Sequence, residues 1–98
     1  MEVEFEDEDL DRLEVDGTFD KSLSPALVRA YRRRMQQIRA FVDERDFYAN
    51  KGAHFEKLDG NWAEHCSVRL NDQFRLILRF KGKAPGKVVV VVCITDYH

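Results

Sequence analysis

The sequence predicts an α+β fold, an antiparallel β-sheet with helices packed on one face. Three observations carry this. An apolar stripe at helical spacing runs through the first half. Two alternating segments flank a tight Asn71-Asp72 turn, and a continuous apolar run follows from Val88 to Ile94. The 98 residues suit one domain over 1–98, with an acidic segment at 1–20.

Met1 to Phe5 alternates Val3 and Phe5 with acids and reads as a short edge strand. Glu6 to Leu13 is acidic, with Leu10 and Leu13 three apart, and suits a short helix. Val15 to Ser24 is a loop. Ser24 before Pro25 is a helix start, because serine caps free amides and proline fits the first helical position. A long helix is expected from Pro25 to Phe47, with Val28, Tyr31, Met35, Ile38 and Val42 as its apolar stripe. Arg29, Arg32, Arg33, Arg34 and Arg39 lie largely off that stripe. Arg32, Arg33 and Arg39 are candidates for phosphate contact, against the simpler reading of a solvated face.

Asn50 to Gly60 reads as a connection, broken by Gly52 and Asp59-Gly60. Strands are expected at Cys66–Leu70, Gln73–Phe80 and Lys87–Ile94, with a basic, glycine-rich turn from Lys81 to Gly86. The last strand should be central, with Val88, Val90 and Val92 on one face and Val89, Val91 and Cys93 on the other.

Alternation sorts the charges. Phe74, Leu76, Leu78 and Phe80 point one way, and Arg75, Ile77 and Arg79 the other. Val68 and Leu70 share the apolar face, whereas Ser67, Arg69 and Asn71 share the opposite one. If helices cover the apolar face, Arg69, Arg75 and Arg79 stand on the open one. Guanidinium forks there match phosphate oxygens. The loop before the strands supplies His54, Glu56 and Lys57: two proton acceptors and a cation. After the last strand come Asp96, Tyr97 and His98, an acid, a phenol and an imidazole able to transfer protons near neutral pH.

The formal net charge of −2 conceals a division. Residues 1–20 hold ten acidic side chains and one basic one; residues 21–98 hold fifteen basic and eight acidic. A basic body favours a polyanion such as RNA. The acidic segment is expected either to aid solubility or to shield the basic face until RNA or a partner displaces it. The longest apolar stretch has seven residues, too short to span a bilayer, so a cytoplasmic location without membrane contact is expected. Cys66 and Cys93 read as reduced thiols. No metal-ligand cluster appears and no cofactor is expected.

Two stretches then carry a resemblance. Phe55-Glu56-Lys57-Leu58-Asp59-Gly60 is followed by Ser67-Val68-Arg69-Leu70-Asn71-Asp72-Gln73-Phe74-Arg75-Leu76, and Asp96-Tyr97-His98 completes the order. In these pieces the chain resembles the HigB/RelE-type toxins of bacterial type II toxin–antitoxin systems, within the RelE/ParE superfamily. The resemblance covers residues 25–98 well. It implies a RelE-like fold and a ribosome-dependent endoribonuclease that cuts mRNA during translation. It also implies a cognate HigA-like helix-turn-helix antitoxin, with the ribosome and mRNA as further partners. Arg69 and Arg75 match arginines of the strand motif, and Asp96, Tyr97 and His98 match the terminal active-site motif. The loop departs from the pattern: Glu56 stands where the family often has histidine, and Asp59 where it has lysine, with His54 and Lys57 nearby. Two other readings share these residues: a ParE-like gyrase inhibitor, and a non-enzymatic module that binds an antitoxin or nucleic acid.

Overall fold

The computed structural model describes residues 1–83 and 86–96. The elements are β1 (Glu2–Phe5), α1 (Glu8–Val15), α2 (Pro25–Ala40), α3 (Arg45–Ala49), β2 (Glu56–Lys57), β3 (His65–Arg69), β4 (Phe74–Lys81) and β5 (Val88–Asp96). Short 3-10 turns at Lys51–Ala53 and Gly60–Trp62 flank β2. The strands form one sheet in the order β1-β5-β4-β3-β2. β2 to β5 pair antiparallel, and β1 adds to β5 in parallel. The expected α+β fold is present, with a mixed rather than purely antiparallel sheet.

α1 and α2 each start at a capping side chain. Asp7 accepts from the Asp9 amide at 2.8 Å, and the Ser24 hydroxyl from the Leu27 amide at 3.2 Å. Leu10 and Leu13 of α1 meet Leu27, Val28, Tyr31, Met35 and Ile38 of α2 over Cys66, Val68, Leu76, Leu78, Val89 and Val91 of the sheet. Burying a side chain of this size contributes about 1.5–3 kcal/mol, so these residues hold the helices on one face.

The expected long helix ends early. Phe41 leaves helical geometry (ψ 144°), and Val42, expected in the stripe, is exposed. The Asp46 carboxylate explains the break: it accepts from the amides of Val42 and Asp43 at 2.7 and 3.3 Å, satisfying donors that a continuous helix would turn inward. The break also brings the Phe41 and Phe47 rings to 4.8 Å in an edge contact. α3 is therefore a separate turn.

The parity expected for the last strand is corrected by a β-bulge. Ile77 pairs with Cys93 but Leu78 with Val91, so Val92 is an extra residue. Beyond it every side chain changes face. Ile94 pairs with Leu76, Thr95 with Arg75, and Asp96 with Phe74. Cys93 thus joins Val88 and Val90 on the face away from the helices.

The acidic segment is not an appendage. It supplies β1 and α1, with Val3 and Phe5 packed on the core and Leu10 and Leu13 buried. Its charges meet the basic body directly: Glu14 binds Arg39 through both carboxylate oxygens (3.0 and 2.7 Å), Glu4 meets Lys81 at 2.6 Å, and Glu6 meets Arg79 at 3.5 Å. Of the expected turn from Lys81 to Gly86, Ala84 and Pro85 lie outside the described residues. No helix among the described residues is long and apolar enough to cross a membrane.

Candidate active site

The β2–β3 register decides what the loop contributes. Glu56 pairs with Ser67, and Lys57 with Cys66. Cross-strand partners share a face. Glu56 is therefore on the side of Ser67 and Arg75, and Lys57 is on the side of Cys66, Leu78 and the helices. Lys57 lines a recess of about 220 Å³ with Glu44, Phe55, Cys66 and Phe80, on that helix side. Phe55 anchors the strand by lying 5.1 Å from the Phe47 ring. Of the three loop candidates, the register brings Glu56 to the Arg75 face and turns Lys57 from it.

Arg75 is nearly buried, 5% exposed. Its Nε donates to Ser67 Oγ at 2.8 Å, and its Nη2 donates to the His54 carbonyl. The side chain thus crosses β3 and reaches the turn beyond the sheet edge. His54 adopts left-handed geometry (φ 45°) and its side chain is exposed. That conformation is uncommon for a residue with a Cβ. Arg69 pairs with Arg75 across β3 and β4, and its guanidinium bonds Asp72 and the Asn71 carbonyl, the latter at 3.3 Å. Two guanidiniums on neighbouring strands, with a carboxylate on the same face, offer both phosphate binding and proton acceptance.

Asp96 Oδ2 accepts from Gln73 Nε2 at 3.0 Å. The bulge sets Asp96 opposite Phe74 and brings Thr95 opposite Arg75. Tyr97 and His98 lie outside the described residues. Arg79 is on the Arg75 face, but nearer β1, where Glu6 meets it.

The helix arginines separate by role. Arg32 donates to the carbonyls of Leu13, Asp16 and Phe19 at 2.9, 2.8 and 3.2 Å, tying the end of α1 and its following loop to α2. Arg39 is engaged by Glu14. Arg33 is exposed on α2. Arg34, on the same helix, is half-buried beneath the site; burial, then the charges of Arg69, Arg33 and Arg75, lowers its pKa. Burial pushes the Cys66 thiol up to about 12 and also raises that of Cys93, so neither favours the thiolate needed for nucleophilic attack. Among the described residues, no group of three or more His, Cys, Asp or Glu is placed to hold a metal ion.

Residues 3–98 match the family described as RelE-like toxin of type II toxin-antitoxin system HigB. The chain belongs to this family. The HigB-family assignment agrees with a curated relative, Toxin HigB-1 of Vibrio cholerae serotype O1. That protein is 31% identical over 80 residues, covering 82% of this chain and 84% of the relative. Two solved structures share the fold. The YoeB/ParE toxin from Agrobacterium tumefaciens has a TM-score of 0.61 and 16% identity, with all of both chains covered. The YoeB-YefM complex from Staphylococcus aureus has a TM-score of 0.57 and 16% identity, covering 100% of this chain and 97% of that one. The fold is thus RelE-like, and this HigB-family chain is the toxin of a type II system, which has a cognate antitoxin.

Sequence reasoning missed three residues of this candidate site in the HigB-family chain. Ser67 is the buried hydroxyl that receives Arg75, and its only signal is the strand parity that puts it on the face of Arg69 and Arg75. Thr95 comes opposite Arg75 through a bulge that a run of five valines conceals. Arg34 looks in sequence like any other arginine of the helix, although its bond to the Arg69 carbonyl of β3 sets it apart.

Proposed function

We propose that this toxin is a ribosome-dependent mRNA endoribonuclease that needs no metal ion for RNA cleavage. The observation that carries the reading is Arg75. A nearly buried guanidinium joins Ser67 to the His54 turn, with Glu56 and Arg69 on the same face. In this reading the ribose 2′-oxygen attacks the neighbouring phosphorus and the bond to the 5′-oxygen breaks. The products are a 2′,3′-cyclic phosphate and a 5′-hydroxyl. Arg69 and Arg75 stabilise the negative charge that grows on the phosphorane, commonly the largest catalytic contribution. Glu56 or His54 accepts the proton of the 2′-hydroxyl. His98 delivers a proton to the leaving oxygen, and Tyr97 orients or stacks on a base. Arg33 and Arg79 extend the positive surface along the RNA. The ribosome aligns the mRNA, and a HigA-like helix-turn-helix antitoxin restrains the toxin.

The test is cleavage of ribosome-bound mRNA by wild type and His98→Ala, with and without chelator, mapping 5′ ends. Wild-type cleavage that persists in chelator and is lost in the variant is expected. Equal rates in both proteins, or full loss on chelation, overturns the reading. Inhibition of gyrase supercoiling with intact mRNA would favour the ParE-like alternative.

A further inference from the structure

We propose that Arg34 is a positioning residue for the cleavage site, holding the 50–54 turn against Arg75 from the helix side of the sheet. This rests on the nuclease reading above. Arg34 sits in α2, half-buried, and its bonds are to neutral oxygens. Nε donates to the Arg69 carbonyl at 2.9 Å, Nη1 to Gln37 Oε1 at 2.6 Å and Nη2 to the Gly52 carbonyl at 3.1 Å. No ion pair joins Arg34 to a carboxylate among the described residues, and its charged neighbours Arg69, Arg33 and Arg75 are all cations. A cation placed among cations costs stability. That cost is offset by three acceptors in three directions, a set that suits a planar fork and that one ammonium fills poorly.

The acceptors explain the placement. The His65 carbonyl faces β2, where it accepts from Leu58, and strand alternation points the Arg69 carbonyl the same way. β2 has only two residues and pairs with Cys66 and Ser67, so it does not reach Arg69. Arg34 satisfies that carbonyl instead. The same guanidinium takes Gly52, and Gln37 Oε1 also accepts from Asn50 Nδ2 at 3.3 Å. Arg34 thus grips the turn at Gly52, and at Asn50 through Gln37, while Arg75 grips it at His54 from the opposite face. Two guanidiniums hold the 3-10 turn that ends in left-handed His54 and, two residues later, leads to Glu56. Arg34 touches no reacting atom in this account; it fixes where Arg69, His54 and Glu56 stand. A misplacement of about 1 Å at such groups can cost about 100-fold in rate.

The experiment compares wild type, Arg34→Ala, Arg34→Lys and Ile38→Val, the last as a core control on the same helix. Cleavage of ribosome-bound mRNA gives kcat and KM, and thermal melts report stability. Amide hydrogen exchange at Ala53 and His54 reports the turn. Arg34→Ala should lower kcat at least tenfold, beyond any loss in Ile38→Val, with KM changed much less. It should also speed exchange at both amides, and Arg34→Lys should remain impaired. Full activity in Arg34→Lys, a kcat loss no larger than that of the control, or unchanged exchange in an active protein overturns the inference alone. A wild-type protein that leaves mRNA intact overturns the nuclease reading and this inference together.

Discussion

Glu56 stands opposite Ser67 in the β2–β3 ladder, and Ser67 accepts from Arg75 at 2.8 Å. A carboxylate, a hydroxyl and a guanidinium thereby share one face, while Lys57 turns to the other.

This register separates two neighbouring residues experimentally. Glu56→Gln should reduce cleavage of ribosome-bound mRNA by about 10²–10⁴-fold if Glu56 accepts the proton. Lys57→Ala should leave the rate within about an order of magnitude of wild type, because its charge is turned from the phosphate and screened. Rates of single-turnover cleavage decide it. The reverse ranking would mean that the loop binds RNA in another register.

Arg75 is expected to matter for folding as well as chemistry. Arg75→Ala leaves the Ser67 hydroxyl and the His54 carbonyl without this donor, at a cost of about 1–3 kcal/mol. Arg79→Ala breaks a pair whose side chains are 35% and 44% exposed, which is worth under about 1 kcal/mol. Urea unfolding of both variants should show a larger midpoint shift for Arg75→Ala. Equal shifts would show that the Arg75 bonds add nothing to stability.

The pair between Glu6 and Arg79 competes with any phosphate that approaches Arg79. Glu6→Gln should therefore strengthen binding to single-stranded RNA or ribosomes at low salt. The log–log salt slope should steepen by up to about 0.7, the contribution of one phosphate contact. A salt titration of both proteins reads this directly. An unchanged slope would remove Arg79 from the RNA path.

Two carboxylates make stability fall in acid. The hydrogen bond from Lys21 (2.5 Å) is the largest influence lowering the Asp7 pKa, and hydrogen bonds from the Thr18 hydroxyl and amide, then Arg12, bring Asp16 down to about 2. A carboxylate with a depressed folded-state pKa stabilises the fold above its unfolded value near 4. That contribution is lost as pH falls from about 4 toward 2. Asp7→Asn keeps a good helix cap but removes one titrating group. Its unfolding midpoint should vary less with pH than that of wild type across this window. Identical pH profiles would rule out Asp7 as a contributor.

The legible parts of the fold were those written locally. Ser24-Pro25 marked the start of α2, and the alternation of Phe74 to Phe80 sorted Arg75 and Arg79 from the core. The parts that were not legible depend on distant partners. The break at Val42 is the local exception: Asp46 caps its amide from four residues on, but the same carboxylate also suits the solvated face of a continuing helix. Five consecutive valines carry no parity, so the bulge at Val92, and with it the placement of Thr95 and Asp96, has no local signature. The two-residue β2 exists because β3 offers it an edge, and the facing of Lys57 follows only from that pairing. The arginines illustrate the same limit: sequence spacing groups Arg32, Arg33, Arg34 and Arg39, whereas their acceptors divide them into clamps and a free surface.

The parallel pairing of β1 with β5 has a consequence for how the protein is made. Glu2 pairs with Val88 at the far end of the chain. Contacts so distant in sequence form late and slowly, because a long loop must close first. While a nascent chain lacks β5, β1 has no strand to join and β4 lacks one of its two neighbours. Glu6 then has no fixed place beside Arg79, and Arg75 has no Thr95 opposite it. The charged face is thus assembled only after β5 has been synthesised, so acidic β1 and basic β4 of the toxin stay apart until that strand closes the sheet.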